Sequence, residues 1–142
     1  MKVAVGCDHA GFMLKKDVLE VLQELGHEIV DCGTWSDKSV DYPDFGRAVA
    51  EQVVKEQVDF GIVMCGTGIG ISIAANKVPG IRAALCHDTF SARMSRAHNN
   101  ANVLAMGSRV IGPGLARDII RTFLTTEFDG GRHALRVAKL EQ

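Results

Sequence analysis

Residues 58–72 are the strongest candidate for a functional site in the chain, because a thiol is followed at once by three alternating glycines. Cys65 closes the short apolar run 59–64, and the glycines after it are Gly66, Gly68 and Gly70. Glycines let backbone N–H groups approach a ligand closely, and the N-terminus of the helix predicted to follow favours negative charge. The spacing therefore predicts an anion-stabilising pocket with Cys65 as a candidate acid or base at its rim.

Other glycine-rich and cysteine motifs fit this stretch less well. A dinucleotide fingerprint needs G-x-G-x-x-G after a first strand, but here the spacing is G-x-G-x-G after the third; Asp88 follows about 20 residues later, so a nucleotide site stays open. No Gly-Lys-Ser/Thr follows, which excludes a P-loop. A cysteine phosphatase would need an arginine where this chain has Ile71. A cysteine alone at a strand end is also typical of a small buried apolar residue.

Three more groups of polar residues could take part in chemistry. Asp8-His9 follows the first apolar run, where a carboxylate beside an imidazole can orient a hydroxyl group, bind phosphate or cap a helix. Residues 98–102, His-Asn-Asn-Ala-Asn, offer more hydrogen bonds than a turn requires. Arg132 and Arg136 share one helical face, and neither has an acidic residue three or four positions away on that helix. This pattern fits a pair of arginines that binds phosphate, and it fits a solvated helix end equally well. No set of residues has metal-ligand spacing, so we expect no metal and no cofactor.

Composition narrows the class of protein. The chain has 142 residues, a net charge of −1 and 46% hydrophobic residues, which suits one domain with a real core. The charge gives no reason to expect nucleic acid or an anionic membrane as a partner. No apolar stretch reaches 18 residues, and the four scattered cysteines lack C-x-x-C spacing. We therefore expect a cytoplasmic protein with reduced thiols.

Strand-like and helical patterns alternate along the chain, and the fold that they form must position the candidate residues. Apolar runs predict strands at 2–6, 28–31, 59–64, 82–86 and 103–106, with helical periodicity between them and again after the fifth, ending in a helix at 132–140. This pattern predicts a three-layer, Rossmann-like α/β sandwich: a five-stranded parallel sheet of order 2-1-3-4-5 with helices on both faces. Strands one and three then flank the topological switch point, so Asp8, His9 and Cys65 should line one crevice.

The same topology places His98 at the wrong end of the sheet. The loop 98–102 precedes strand five, whereas Cys65 ends strand three, so the two lie at opposite ends of parallel strands. If His98 is catalytic, it must reach the crevice of another subunit. Arg132 and Arg136 follow a helix that also returns to the amino end. We therefore expect a homodimer, or a dimer of dimers, with shared sites in which residues 126–142 reach the partner.

Six motifs in order resemble ribose-5-phosphate isomerase type B, in a family that includes galactose-6-phosphate isomerase subunits. The motifs are G-C-D-H-A-G (6–11), V-D-Y-P-D (40–44), C-G-T-G-I-G (65–70), I-A-A-N-K (73–77), H-N-N-A-N (98–102) and G-G-R-H (130–133). They span nearly the whole chain, which is expected to form a single sugar-phosphate isomerase domain over 1–142. One branch of the family uses a glutamate just after the glycine loop; with Ile71 there and Cys65 present, this chain resembles the cysteine-base branch.

The resemblance implies a role for each candidate residue in converting D-ribose 5-phosphate to D-ribulose 5-phosphate through a cis-enediolate. His98, helped by Asp8, would open the sugar ring. Cys65 would move the proton between C2 and C1, and Thr67 would pass a proton between O1 and O2. The groups expected to bind the substrate are His9, Tyr42, Gly66, Gly68, Gly70, Asn99, Arg109, Arg132 and Arg136. A six-carbon phosphosugar such as allose 6-phosphate, or a non-catalytic sugar-phosphate sensor, remains the alternative.

Overall fold

A computed structural model describes residues 1–142 and contains five strands and six helices. The strands are β1 (Lys2–Cys7), β2 (Glu28–Asp31), β3 (Phe60–Cys65), β4 (Ala83–Leu85) and β5 (Val103–Gly107). The helices are α1 (Phe12–Glu24), α2 (Tyr42–Val54), α3 (Ile69–Asn76), α4 (Thr89–Ala97), α5 (Pro113–Thr125) and α6 (Arg132–Leu140).

The predicted three-layer sandwich is confirmed. Every strand pair is parallel. One face of the sheet packs against the apolar sides of α1, α4 and α5, and the other packs against α2 and α3. β1, β3 and β5 are almost entirely buried and read as continuous apolar runs, which is typical of parallel strands covered on both faces.

The predicted strand order 2-1-3-4-5 is wrong at its last two positions, since the sheet runs β2-β1-β3-β5-β4. All five residues of β5 are buried, whereas β4 has only three residues and is partly exposed. A strand that is apolar on both faces belongs in the interior of a sheet, and a short strand suits its edge. β5 therefore pairs with β3, which places Cys65 opposite Gly107 at the ends of the two strands.

The outer side of β4 is closed by a side chain. The Asn76 amide donates to the carbonyl oxygen of Ala83 at 3.0 Å, and its Oδ1 accepts the Ala83 N–H at 2.8 Å. Asn76 thus satisfies both backbone groups that Ala83 presents away from β5, as a residue of a neighbouring strand would.

Helix α6 takes little part in either apolar layer. Of its residues only Val137 is buried, whereas Leu135 and Leu140 expose 72% and 65% of their surface. The expectation that residues 126–142 reach a partner subunit concerns a second chain and stays a prediction.

Candidate active site

The carboxyl ends of β1, β3 and β5 surround a cleft of about 410 Å³. Predicted site residues line it, as expected at a switch point: Asp8, His9, Tyr42, Cys65, Gly66, Thr67, Gly70 and Arg109. Arg109 reaches this cleft because β5 pairs with β3; in the predicted order it would have stood one strand further away. Its guanidinium lies against Gly66, and its backbone N–H donates to the Gly66 carbonyl at 3.0 Å.

The Cys65 thiol lies under the glycine loop, at the start of α3. Its Sγ accepts a hydrogen bond from the Gly68 N–H at 3.1 Å, and the residue is 5% exposed. Gly68 is the residue before α3 and has φ +76°, a left-handed conformation that favours glycine. A Cβ there would lie 2.6 Å from Leu85 Cδ1 and 2.7 Å from the Met106 carbonyl carbon. The loop can therefore direct this N–H at the sulfur, where it stabilises negative charge.

The three other cysteines have a different environment. Burial raises the pKa of Cys7 and of Cys86 to about 11, and it also raises the pKa of Cys32. None of the three lines the cleft. These thiols are inert core or loop residues, typical of cysteines used for packing.

Asp8 and His9 are held by backbone groups at the end of β1. Asp8 is buried, and its Oδ1 accepts the Gly11 N–H at 2.8 Å, so it closes the turn before α1. Its Oδ2 makes no hydrogen bond within the chain. His9 Nδ1 accepts the Val40 N–H at 3.2 Å, which leaves the proton of the neutral ring on Nε2 as a donor.

The remaining cleft residues shape its floor and wall. A Cβ on Gly70 would lie 2.6 Å from Tyr42 Cζ, so the Tyr42 ring rests directly on the glycine loop. Thr67 is exposed, and its Oγ1 accepts the Ile69 N–H at 3.2 Å. The Ser108 hydroxyl donates to Ala10 O at 2.7 Å and lies 3.3 Å from Cys65 O, which joins the ends of the three central strands. Ser108 was not anticipated from the sequence.

The other predicted residues lie elsewhere. His98, Asn99 and Arg136 line a separate cavity of about 290 Å³, together with His133. Arg132 is exposed and begins α6 beside it. The rings of His98 and His133 stack with centroids 4.2 Å apart and planes 8° apart. Within one chain the predicted site therefore falls into two groups, which we call the cleft and the amino-end cavity.

A buried arginine that the sequence did not single out supports the amino-end cavity. Arg96, in the last turn of α4, lies over the rings of Phe60 and Phe123. Its Nη1 donates to Asn100 Oδ1 at 2.9 Å and to Ala101 O at 2.6 Å. Burial lowers the pKa of the guanidinium, and its Nε has no partner. The only hint in the sequence is an arginine just before the His-Asn-Asn-Ala-Asn loop that it fixes.

The structure also assembles potential metal ligands that spacing did not reveal. His98, Asp129 and His133 offer ligand atoms that all lie within 4.8 Å of one another. They come from distant segments, which the hydrogen bond from Asp129 N–H to Ala97 O joins at 3.0 Å. Partial burial lowers the pKa of His133, and the neighbouring His98, Arg132 and Arg136 add to the effect.

None of the six helices has the length and apolar character that crossing a bilayer requires.

Comparison with known proteins agrees with the fold and the motifs. The sequence model of the family described as Ribose/Galactose Isomerase matches residues 3–140. Ribose-5-phosphate isomerase B of Escherichia coli is 52% identical over 136 residues, which are 96% of this chain and 91% of that protein. A putative sugar phosphate isomerase of Bacillus subtilis is 57% identical, over 99% of this chain and 95% of that one. The solved ribose-5-phosphate isomerase B of Clostridium thermocellum superposes with a TM-score of 0.98 at 57% identity, over 99% of this chain and 95% of that one.

With both sequence and structure matched over nearly the whole chain, the protein belongs to the ribose/galactose isomerase family.

Proposed function

We propose that the protein interconverts D-ribose 5-phosphate and D-ribulose 5-phosphate, an aldose–ketose isomerisation. The observation that carries this proposal is the hydrogen bond from the Gly68 N–H to the Cys65 sulfur at the N-terminus of α3. Both the sulfur and the loop belong to the cleft at the topological switch point. An aldose–ketose isomerase needs one group that removes a proton from carbon and fixed donors for the oxyanion that results.

The proton transfer between carbons is assigned to Cys65. The thiolate removes the proton from C2 of the open-chain sugar, and the thiol returns it to C1. The negative charge of the intermediate cis-enediolate falls on O1 and O2, where the amides of Gly66, Gly70 and Asn99 donate, while the Gly68 N–H holds the Cys65 sulfur. A positioned acid or base contributes roughly 10²–10⁴ in rate, and a preorganised oxyanion donor about 10²–10³. The Thr67 hydroxyl passes the proton between the two oxygens.

Ring opening and phosphate binding use residues of both the cleft and the amino-end cavity. His98, with Asp8 on the sugar hydroxyl, transfers the proton that opens the ring. His9 Nε2–H, Arg132 and Arg136 hold the phosphate, Arg109 assists from the end of β5, and Tyr42 borders the sugar. Arginine forks suit phosphate because two N–H groups can bind two oxygens at once.

The active site is completed by a second copy of the chain. His98 and Asn99 precede β5, whereas Cys65 ends β3, and strands of five or six residues are about 17–20 Å long. A two-fold arrangement that places one subunit's amino-end cavity over the other subunit's cleft forms two equivalent sites per dimer. All four cysteines are free, which supports a reducing compartment, and we expect the enzyme in the cytoplasm.

Two alternatives are weaker. A six-carbon phosphosugar would use the same chemistry, and a galactose-6-phosphate isomerase subunit of Clostridium acetobutylicum is 44% identical over 128 residues. However, relatives at higher identity bear the name ribose-5-phosphate isomerase B. A sugar-phosphate sensor would need the glycine loop and the arginines, but it would have no use for both Cys65 and His98.

A coupled isomerase assay in the presence of EDTA tests the proposal. Ribose 5-phosphate should be turned over with a higher kcat/KM than allose 6-phosphate or galactose 6-phosphate, and chelation should not reduce the rate, because amides hold the enediolate. A preference for a hexose phosphate would contradict the substrate. Loss of activity on chelation, restored by a divalent ion, would contradict the metal-free mechanism.

A further inference from the structure

At the amino-end cavity lies the one cluster of the chain in which three metal-ligating side chains meet, two of them from its lining. His98 directly follows α4 as its C-cap, His133 lies in the first turn of α6, and Asp129 precedes that helix. Their ligand atoms lie within 4.8 Å of one another. The backbone fixes this approach, since Asp129 N–H donates to Ala97 O and His133 N–H donates to Gly130 O, both at 3.0 Å.

Two imidazoles and one carboxylate are a ligand set that suits Zn²⁺ and its neighbours in the first transition row. Tetrahedral ligands at about 2.0–2.2 Å from zinc stand about 3.3 Å from one another, so the present separations must shrink by about 1.5 Å at most. The two rings are parallel and must turn for their lone pairs to converge. Both histidines are only partly buried, and the cavity of about 290 Å³ beside them leaves room for that rotation and for a water as fourth ligand.

The surrounding charges set the strength of the site. Asp129 is exposed and makes no side-chain hydrogen bond or ion pair, so its carboxylate is free to coordinate. Arg132 and Arg136 are cations on the same helix and oppose a divalent ion. The balance favours reversible binding rather than a permanent structural ion.

We propose that His98, Asp129 and His133 form a site for a divalent transition-metal ion of the zinc class, and that the bound ion withholds His98 from ring opening. The first half rests on the cluster alone, and the second half rests on the proposed function of His98. A metal-free isomerase would in this way carry an inhibitory metal site built partly from its own catalytic residue.

Binding is tested with Co²⁺, whose visible absorption reports tetrahedral coordination. The wild type should develop these bands without a thiolate charge-transfer band, and Cys65→Ser should bind equally well. Asp129→Asn and His133→Asn should each weaken binding at least about tenfold, because even outer-shell partners are typically worth 10–100-fold. The control His27→Asn, which removes an imidazole beside the N-terminal amine, should bind as the wild type does. A thiolate band, or undiminished binding by Asp129→Asn, would overturn the site.

Inhibition is tested with Zn²⁺ in both directions of the reaction. Asp129→Asn should keep its basal activity and need at least about ten times more Zn²⁺ for half-inhibition than the wild type. Zinc should slow turnover of ribose 5-phosphate more than that of ribulose 5-phosphate, which is already open-chain. If Co²⁺ binds as expected but zinc slows both directions equally, the metal site stands and the role of His98 in ring opening fails. If Asp129→Asn is inhibited like the wild type, the inhibitory site itself fails.

Discussion

At the scale of single residues, Cys65 differs from the other three cysteines in what surrounds its sulfur. Cys7 and Cys86 are 0% and 1% exposed in the apolar core, and burial raises the pKa of both to about 11. Cys65 is nearly as buried, but its sulfur faces a backbone N–H and borders the cleft. Reactivity should therefore follow position relative to the glycine loop rather than exposure alone.

Replacing the thiol should remove the chemistry and leave binding intact. We expect Cys65→Ala to lower kcat by roughly 10²–10⁴, with ribose 5-phosphate still bound, because the phosphate contacts are untouched. Cys86→Ala is the matched control and should keep its turnover. Iodoacetamide at pH 8 should alkylate Cys65 and spare Cys7 and Cys86, which are protonated at that pH. Bound substrate should protect Cys65 from alkylation. Near-native kcat in Cys65→Ala, measured by the coupled assay, would refute the assignment.

His98 should matter more in one direction than in the other. Ribose 5-phosphate is mostly a closed ring, whereas ribulose 5-phosphate is open-chain and bypasses ring opening. We therefore expect His98→Asn to lose most activity toward the aldose and much less toward the ketose, measured as initial rates from each side. Equal losses in both directions would instead indicate that His98 only positions the substrate.

At the scale of elements, the glycine loop depends on a backbone that side chains cannot adopt. Gly68→Ala should destabilise the protein by about 2–4 kcal/mol, since it adds left-handed strain and a clash with Leu85 and Met106. It should also lower kcat, because the N–H directed at Cys65 moves. Gly114→Ala, on α5 with nothing within 4 Å of the added Cβ, is the control and should be neutral or stabilising by up to about 1 kcal/mol. Urea unfolding measures both; equal stabilities for the two variants would contradict the role of Gly68.

The strands and helices themselves were largely predictable from the sequence, but which strands lie next to one another in the sheet was less so. Apolar runs and helical periodicity identified all five strands, because burial on both faces leaves a strong local signal. The order of β4 and β5 was predicted wrongly because the apolar run 82–86 indicated a five-residue strand, whereas β4 has only three, partly exposed residues and suits the edge of the sheet. For the same reason the apolar patterns offered no physical ground for placing Arg109 in the cleft.

The candidate site shows the same division. Asp8, His9 and Cys65 could be placed together because they end adjacent strands, and strand ends are visible in sequence. Arg96 and the cluster of His98, Asp129 and His133 could not, because tertiary packing joins segments with no shared pattern. Contacts made through loops and a terminal helix leave no periodicity to read.

At the scale of the whole molecule, the candidate residues of each chain fall into two groups at opposite ends of its sheet. The cleft holds Cys65 and the glycine loop, to which we assign proton transfer and oxyanion binding, and the amino-end cavity holds His98, Asn99 and Arg136. Two leucines of α6, Leu135 and Leu140, are exposed, Leu140 lines that cavity, and the proposed second copy would cover them. Monomers should therefore be inactive although each is completely folded.

Subunit mixing tests this arrangement directly. Cys65→Ala and His98→Ala should each be inactive alone, but a heterodimer should contain one intact site built from the unaltered Cys65 of one chain and the unaltered His98 of the other. Random exchange should recover about a quarter of the wild-type activity per chain, as two-fold symmetry requires. Mass spectrometry establishes that heterodimers have formed. No recovery in their presence would show that each site is built within one chain.

The amide of Asn76 has a consequence for how copies of this chain can meet. An exposed edge strand is a template on which foreign strands add, and such addition has no natural end. Because Asn76 occupies both hydrogen-bonding groups of Ala83 on the outer side of β4, that edge offers no uninterrupted row of partners. Association on this side of the sheet must then proceed through side chains on helices and loops, as the proposed two-fold dimer would. Asn76 thus protects the β4 edge of the sheet from open-ended strand addition.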